Sequence, residues 1–159
     1  MQHTHQVWDE ARARALIDGL KHLPGATLPI LHALQDEFGY VDQLAIPLIA
    51  DALALSRAEV VGVINFYHDF RQSPPGHHVM RVCRAESCQA MGCDSLVSHI
   101  EGQLGVRMGD TTPDGAITLQ AVYCLGNCAL SPAVLVDRDL YGRVSNQRAD
   151  DLIVAARAG

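Results

Sequence analysis

The sequence predicts an α+β chain with α/β character in its second half: a helical bundle over residues 1–73, then a β-α-β-β-β-α domain over 74–159. Three observations predict it. Apolar residues recur at three- and four-residue spacing through residues 5–67. Arg71-Gln-Ser-Pro-Pro-Gly76 then breaks that pattern, because two prolines and a glycine cannot continue a helix. Beyond the break, short runs rich in Val and Ile flank one long helical segment.

The elements follow in order. Residues 5–22 read as an amphipathic helix on Val7, Ala11, Ala15, Leu16 and Leu20, with Thr4 as its cap and Pro24-Gly25 as its stop. Thr27 is expected to cap a second helix, which tolerates Pro29 in its first turn and ends at Gly39. A third helix is expected from Asp42 to about Leu55. Ser56-Arg-Ala-Glu59 is a capping-box pattern opening a fourth, apolar segment from Val60 to Tyr67. Short turns between these segments favour antiparallel neighbours, hence a four-helix unit.

After the linker, His78–Val82 has strand composition, and Glu86 to Leu104 returns to helical spacing with Gly105 closing it. Ala116–Tyr123 alternates as a strand does. Ala133–Val136 is a short apolar strand, with Tyr141–Val144 as its expected hairpin partner. Ser145 or Asn146 caps a last helix through Ala156.

Composition narrows the function. With 159 residues, 48% hydrophobic and 19% charged, the chain can bury one good core or two small ones and is not a disordered tail. A net charge of −6 without a run of Lys or Arg argues against nucleic-acid binding. Asp9, Glu10, Arg12, Arg14 and Asp18 interrupt the first segment, so it does not read as a signal peptide, and no apolar stretch reaches membrane-spanning length. The expected location is the cytoplasm, with no membrane insertion. There, paired cysteines are more often metal-binding or catalytic than disulfide-bonded.

Four of the five cysteines stand as two pairs, Cys83-x4-Cys88 and Cys124-x3-Cys128, each following a strand-like run. Thiolates favour soft cations, and four of them suit either a zinc site or a [2Fe–2S] cluster. Structural zinc sites usually use two-residue gaps, so the looser spacing leans toward iron–sulfur without deciding it. Buried structural cysteine is the bland alternative. Cys93, five residues beyond Cys88, would point about 140° away from it on a continuous helix and is set aside as a packing residue. The eight histidines, His77, His78 and His99 among them, are read as solvated or packing side chains.

Nothing in the sequence performs bond chemistry on a substrate. It shows no Ser/His/Asp set, phosphate-cradling glycine loop or dinucleotide fingerprint, and no catalytic residue is assigned. A thiol–disulfide oxidoreductase reading lacks the C-x-x-C motif. A zinc-stabilised interaction module stays open as an alternative.

The two cysteine motifs behind a helical unit resemble the thioredoxin-like [2Fe–2S] ferredoxins, which include the 24-kDa-type subunit of respiratory complex I. Leu31-x6-Phe38-Gly39-Tyr40-Val41 and Gly62-Val-Ile-Asn-Phe-Tyr-His68 look like that family's helical region, so the resemblance covers essentially the whole chain. Phe66-Tyr-His-Asp-Phe-Arg71 and Cys83-Arg-Ala-Glu-Ser-Cys-Gln-Ala-Met-Gly92 further resemble the gamma subunit of cytoplasmic NAD-dependent, molybdenum-containing formate dehydrogenases.

The resemblance implies a thioredoxin-like domain holding a [2Fe–2S] cluster on Cys83, Cys88, Cys124 and Cys128. It also implies a direct partner that binds flavin and NAD, and a molybdenum-containing catalytic subunit in the same complex. FMN, NAD, the molybdenum cofactor and further clusters would belong to those partners. An NAD-reducing hydrogenase or complex I is the alternative assembly. On this reading the chain is a non-catalytic electron-transfer subunit, with residues 1–73 docking on the flavin subunit. Gly126 would turn backbone N–H groups toward sulfur, while Arg81 and Arg84 would favour the reduced cluster.

Overall fold

The computed structural model describes residues 7–158, and these fall into two compact units, residues 7–74 and 75–158. The first is helical: α1 (Glu10–Leu20), α2 (Thr27–Phe38), α3 (Ala45–Leu53) and α4 (Arg57–Phe66). Their apolar faces meet in one cluster that includes Ile17, Ile30, Leu34, Phe38, Ile49 and Val60. Trp8 stacks at a tilt on Phe38, with ring centroids 5.1 Å apart.

Capping chemistry sets where these helices start, and it differs from expectation at three of them. The expected cap Thr4 lies outside the described residues; α1 starts at Glu10, where the Asp9 carboxylate accepts from Arg12 N. Thr27 is the first helical residue of α2 and not its cap, a place taken by Ala26 with no side-chain bond. The third helix begins at Ala45, three residues later than expected, because the Asp42 carboxylate instead caps the preceding turn through Leu44 N. Two signals hold as read. Gly39, at φ 82°, closes α2 in the left-handed region, and Ser56 and Glu59 form the reciprocal capping box of α4. The Gln35 side chain then ties the following chain down, accepting from Arg71 N and donating to Asp69 O.

The second unit is a four-stranded mixed sheet with helices against it. The strands are β1 (His78–Cys83), β2 (Ile117–Val122), β3 (Val134–Val136) and β4 (Asp139–Tyr141), in the order β2-β1-β3-β4. β1 and β2 run parallel, as strands joined by a helical crossover do, and β3 and β4 extend the sheet antiparallel on the other side of β1. Helices α6 (Cys93–Leu104) and α7 (Asn146–Ala158) pack together, and Leu96, Ile100, Leu152 and Ile153 close a core over Met80, Val82, Leu119 and Val134. The α+β class and the β-α-β-β-β-α order are as the sequence predicts.

Two details of that unit depart from expectation. The expected single helix from Glu86 to Leu104 is two: α5 (Glu86–Ala90) ends at Met91, and Gly92, at φ 86°, turns the chain before α6 begins. Only glycine takes that conformation without strain, so the break is written at Gly92. The hairpin partner of β3 is Asp139–Tyr141 and not Tyr141–Val144. The chain turns at Asp137 (φ 53°), and Val136 pairs Asp139, which places the return strand earlier. Asp137 suits that turn because it accepts from Val79 N and faces His78 Nδ1 at 2.7 Å.

Candidate metal centre

Each cysteine loop leaves the sheet at the same end. Cys83 closes β1 directly opposite Val122 of β2, so the next residues of both strands emerge side by side. Cys88 follows in α5, Cys124 comes two residues after β2, and Cys128 opens a short 3-10 turn, Cys128–Leu130. The parallel register thus brings together two loops far apart in sequence. Arg84 N donates to Val122 O at 2.8 Å and Cys83 N to Ala133 O at 3.0 Å, fixing the first loop to both neighbours.

The thiols differ in exposure and surroundings. Cys83 and Cys88 are each 2% exposed, whereas Cys124 and Cys128 lie at the surface. Burial works to raise the Cys83 pKa, but the N–H groups of Ala85, Leu125 and Cys124, with the Cys88 thiol, hold it below its ordinary value. Cys124 and Cys128 place their sulfurs 3.9 Å apart, and Gly126 N donates to Cys124 Sγ at 3.3 Å. Gly126 at φ 74° supplies the turn that aims this N–H, as expected of it. The adjacent thiol of Cys124 is the main cause raising the Cys128 pKa; its charge, burial, Cys88 and Cys83 add to it.

Cys124 itself sits at φ 110°, a region that L-residues rarely occupy. Strain of this kind persists where the surroundings over-determine it, and here it falls on a sulfur that points toward a partner thiol.

Cys93 needs a correction. The helix-phase estimate that turned it away assumed an unbroken helix through Cys88. With the chain re-aimed at Gly92, Cys93 is fully buried and packs with Cys83, Cys88 and Ala133. Burial raises its thiol pKa, followed by the charge of Asp94, and Arg84 opposes both. It remains a packing residue, but one lying against the first cysteine pair.

Arg84 pairs with Asp94 at 3.2 Å, while its Nε is buried and meets no acceptor among the described residues. Arg81 lies within β1 between Gln120 and Leu135. His78 faces Asp137 and His99 faces Asp150, each at 2.7 Å, so both are engaged away from the cysteines.

Sequence reasoning missed two serines. Ser87 Oγ donates to Cys128 O at 3.1 Å and meets Ser131 Oγ at 2.8 Å, and Ser131 Oγ lies 3.5 Å from Cys88 Sγ. They stitch the two cysteine loops together. The only local signal was adjacency, Ser87 before Cys88 and Ser131 three residues after Cys128.

The donor set suits a two-iron centre. Four sulfurs arrive as two pairs, and backbone N–H groups point at sulfur, which favours thiolate. A tetrathiolate [2Fe–2S] centre in proteins supplies one-electron transfer, with a potential set by charge, hydrogen bonds to sulfur and exposure.

Comparison with known proteins identifies the family. Residues 13–157 match the family model described as "Thioredoxin-like [2Fe-2S] ferredoxin". An NADH-quinone oxidoreductase subunit of Pseudomonas aeruginosa is 40% identical over 119 residues, covering 75% of this chain and 72% of that one. NADP-reducing hydrogenase subunit HndA of Solidesulfovibrio fructosivorans is 33% identical over 89% of this chain and 84% of its own. The crystal structure of an air-oxidized NAD+-reducing [NiFe]-hydrogenase superposes with a TM-score of 0.71 and 25% identity over 87% of this chain, which spans only 24% of the hydrogenase chain. The chain belongs to the thioredoxin-like [2Fe–2S] ferredoxins, an electron-transfer family that carries a [2Fe–2S] cluster and whose relatives here are subunits of oxidoreductase complexes.

Proposed function

We propose that the chain is the electron-transfer subunit that holds one [2Fe–2S] cluster on Cys83, Cys88, Cys124 and Cys128, beside the FMN of an NAD-dependent formate dehydrogenase. The observation that carries the ligand assignment is the parallel register of β1 and β2, which brings the Cys83–Cys88 and Cys124–Cys128 loops out at one end of the sheet, with the Cys124 and Cys128 sulfurs 3.9 Å apart. Bound there, the cluster would accept and release single electrons. The chain's own residues do the rest. The Cys83 loop shields one thiol pair from water, and Gly126 orients an N–H on the other. Exposed Cys124 and Cys128 leave that side open to a partner, as a relay requires.

The formate assignment rests on the wording of two stretches, Phe66–Arg71 and Cys83–Gly92. A second reading, the equivalent subunit of an NAD-reducing hydrogenase or of an NADH-quinone oxidoreductase, is favoured by the relatives at 33% and 40% identity. A zinc-stabilised module fits less well, since the gaps of four and three residues are wider than the two-residue gaps of structural zinc sites and the family carries a [2Fe–2S] cluster.

Residues 1–73 would form the docking surface for the flavin- and NAD-binding subunit. Phe66, 73% exposed, stacks edge-on against the half-exposed Tyr67 at the end of α4, an apolar pair left at the surface of the helical unit. The molybdenum-containing subunit would stand further along the same complex. Among the described residues no helix is long and apolar enough to cross a membrane, and the cytoplasm is the proposed location.

The test begins with colour. The purified full chain should be red-brown, contain two irons and two acid-labile sulfides, and give a rhombic EPR signal on reduction. Alanine at any of the four cysteines should abolish or greatly reduce that signal. One equivalent of zinc without iron would overturn the cluster. Co-purification then separates the assemblies, by whether NAD reduction by the complex is driven by formate or by hydrogen, or whether the complex instead passes electrons from NADH to quinone. Asp at Phe66 and Tyr67 should release the flavin subunit while sparing the cluster.

A further inference from the structure

The hydroxyl pair that joins the cysteine loops has a proton inventory that changes when Cys88 binds iron. Ser131 is 7% exposed, and its Oγ lies 3.5 Å from Cys88 Sγ, 2.8 Å from Ser87 Oγ and 2.9 Å from Cys128 O. Ser87 Oγ also reaches Cys128 O, at 3.1 Å. In the free thiol, Cys88 donates to Ser131 and the Ser131 proton goes to the Cys128 carbonyl. An iron-bound cysteine is a thiolate; its proton has left to solvent and it can only accept. The contact can then persist only with Ser131 as donor. Ser131 Oγ then no longer accepts from Cys88, and the Ser87 hydroxyl, free to rotate, can donate to it instead.

Resting on the four-cysteine reading, we propose that Ser131 is a potential-setting residue whose hydroxyl donates to the Cys88 thiolate, oriented by Ser87. A hydrogen bond to a ligand sulfur stabilises the more negative, reduced cluster and so raises its potential. Burial strengthens the bond, because little water competes for the sulfur and each hydroxyl polarises the next. Ser131 acts through Cys88 and is a positioning residue, with no part in bond chemistry.

The test is an EPR-monitored redox titration of the full chain carrying its cluster, for wild type, Ser87→Ala, Ser131→Ala and the double variant. At a fixed applied potential, Ser131→Ala should lower the reduced-to-oxidised ratio about tenfold, equivalent to about 59 mV for one electron. Ser87→Ala should lower it by a smaller factor. The double variant should fall no further than Ser131→Ala alone, because both changes remove one bond. Unmoved midpoints, or two losses that simply add, would overturn the proposal. If Ser131→Ala loads no cluster, Ser87→Ala decides alone: a lowered midpoint supports the relay and an unmoved one sinks it. A wild-type chain without a two-iron spectrum would overturn the four-cysteine reading as well, whereas a loaded wild type with unmoved variants overturns only the serine relay.

Discussion

Gly142→Ala is expected to damage the ferredoxin-like unit from a position that carries no site chemistry. A Cβ at Gly142 would lie 2.6 Å from Leu130 Cβ, 2.8 Å from Asn127 Nδ2 and 2.9 Å from Leu130 O. Carbon atoms pack best at about 3.5–4.0 Å, so the new methyl crowds Leu130 Cβ by close to an ångström. The chain cannot simply back away, because Arg143 N donates to Leu130 O at 2.6 Å next door. Overpacking of this kind costs about 1–3 kcal/mol. For a unit of roughly this size, each kcal/mol moves the midpoint by about 4–8 °C, so its melting transition should fall by at least about 4 °C. The strain lands on residues 127–130, and Cys128 moves with them, so iron content should fall too. Thermal denaturation by circular dichroism, with iron and sulfide analysis, measures both. Wild-type melting together with full iron loading would refute the reasoning.

Three further substitutions have definite expected outcomes. Arg84→Ala should lower the cluster's midpoint potential, since it removes a cation inside the first cysteine loop; an unchanged potential on redox titration counts against it. Phe38→Ala empties a fully packed site in the helical unit and should cost about 3–5 kcal/mol, read from urea denaturation. The capping box should make α4 acid-sensitive. The Ser56 backbone N–H and then its hydroxyl hold the Glu59 pKa below its ordinary value. A lowered folded value means the contribution is complete above the ordinary glutamate range and is lost as the pH falls through the folded value. Ser56→Ala should cost about 1 kcal/mol at neutral pH and should weaken that acid dependence, which urea midpoints at neutral and acid pH would show.

Local signals carried the fold far. The Ser56–Glu59 box, Gly39, Gly105 and the Pro74-Pro75-Gly76 break each act within a few residues, so their consequences are readable without the fold. The cysteine pairs were readable as pairs for the same reason. Where the reading slipped, a longer-range or competing contact had decided. Asp9 capped α1, which moved its start from residue 5 to Glu10. The spacing from Glu86 to Leu104 reads as one helix, yet the chain takes a left-handed turn at Gly92, and that single break re-aimed Cys93 from the far side to lie against the first pair. Ser131 could not be singled out, because its importance lies in a contact with Cys88 that exists only after the sheet has formed.

The pairing of Cys83 with Val122 also sets an order of events in the life of the chain. The two cysteine loops become neighbours only when β1 and β2 find each other across an intervening helical crossover, a long-range step that is slow compared with helix formation. A nascent chain released before β2 emerges would offer Cys83 and Cys88 alone, half of the proposed four-cysteine site. Iron delivered then would meet an incomplete set of thiols, so loading belongs after folding. The register also gives distant residues a vote. A slip of β2 by one position would turn its side chains to the opposite face and shift the second loop away from the first. Leu119 and Ile117, which pair with Met80 and His78 of β1, thereby bear on where the second cysteine loop sits although neither is a ligand.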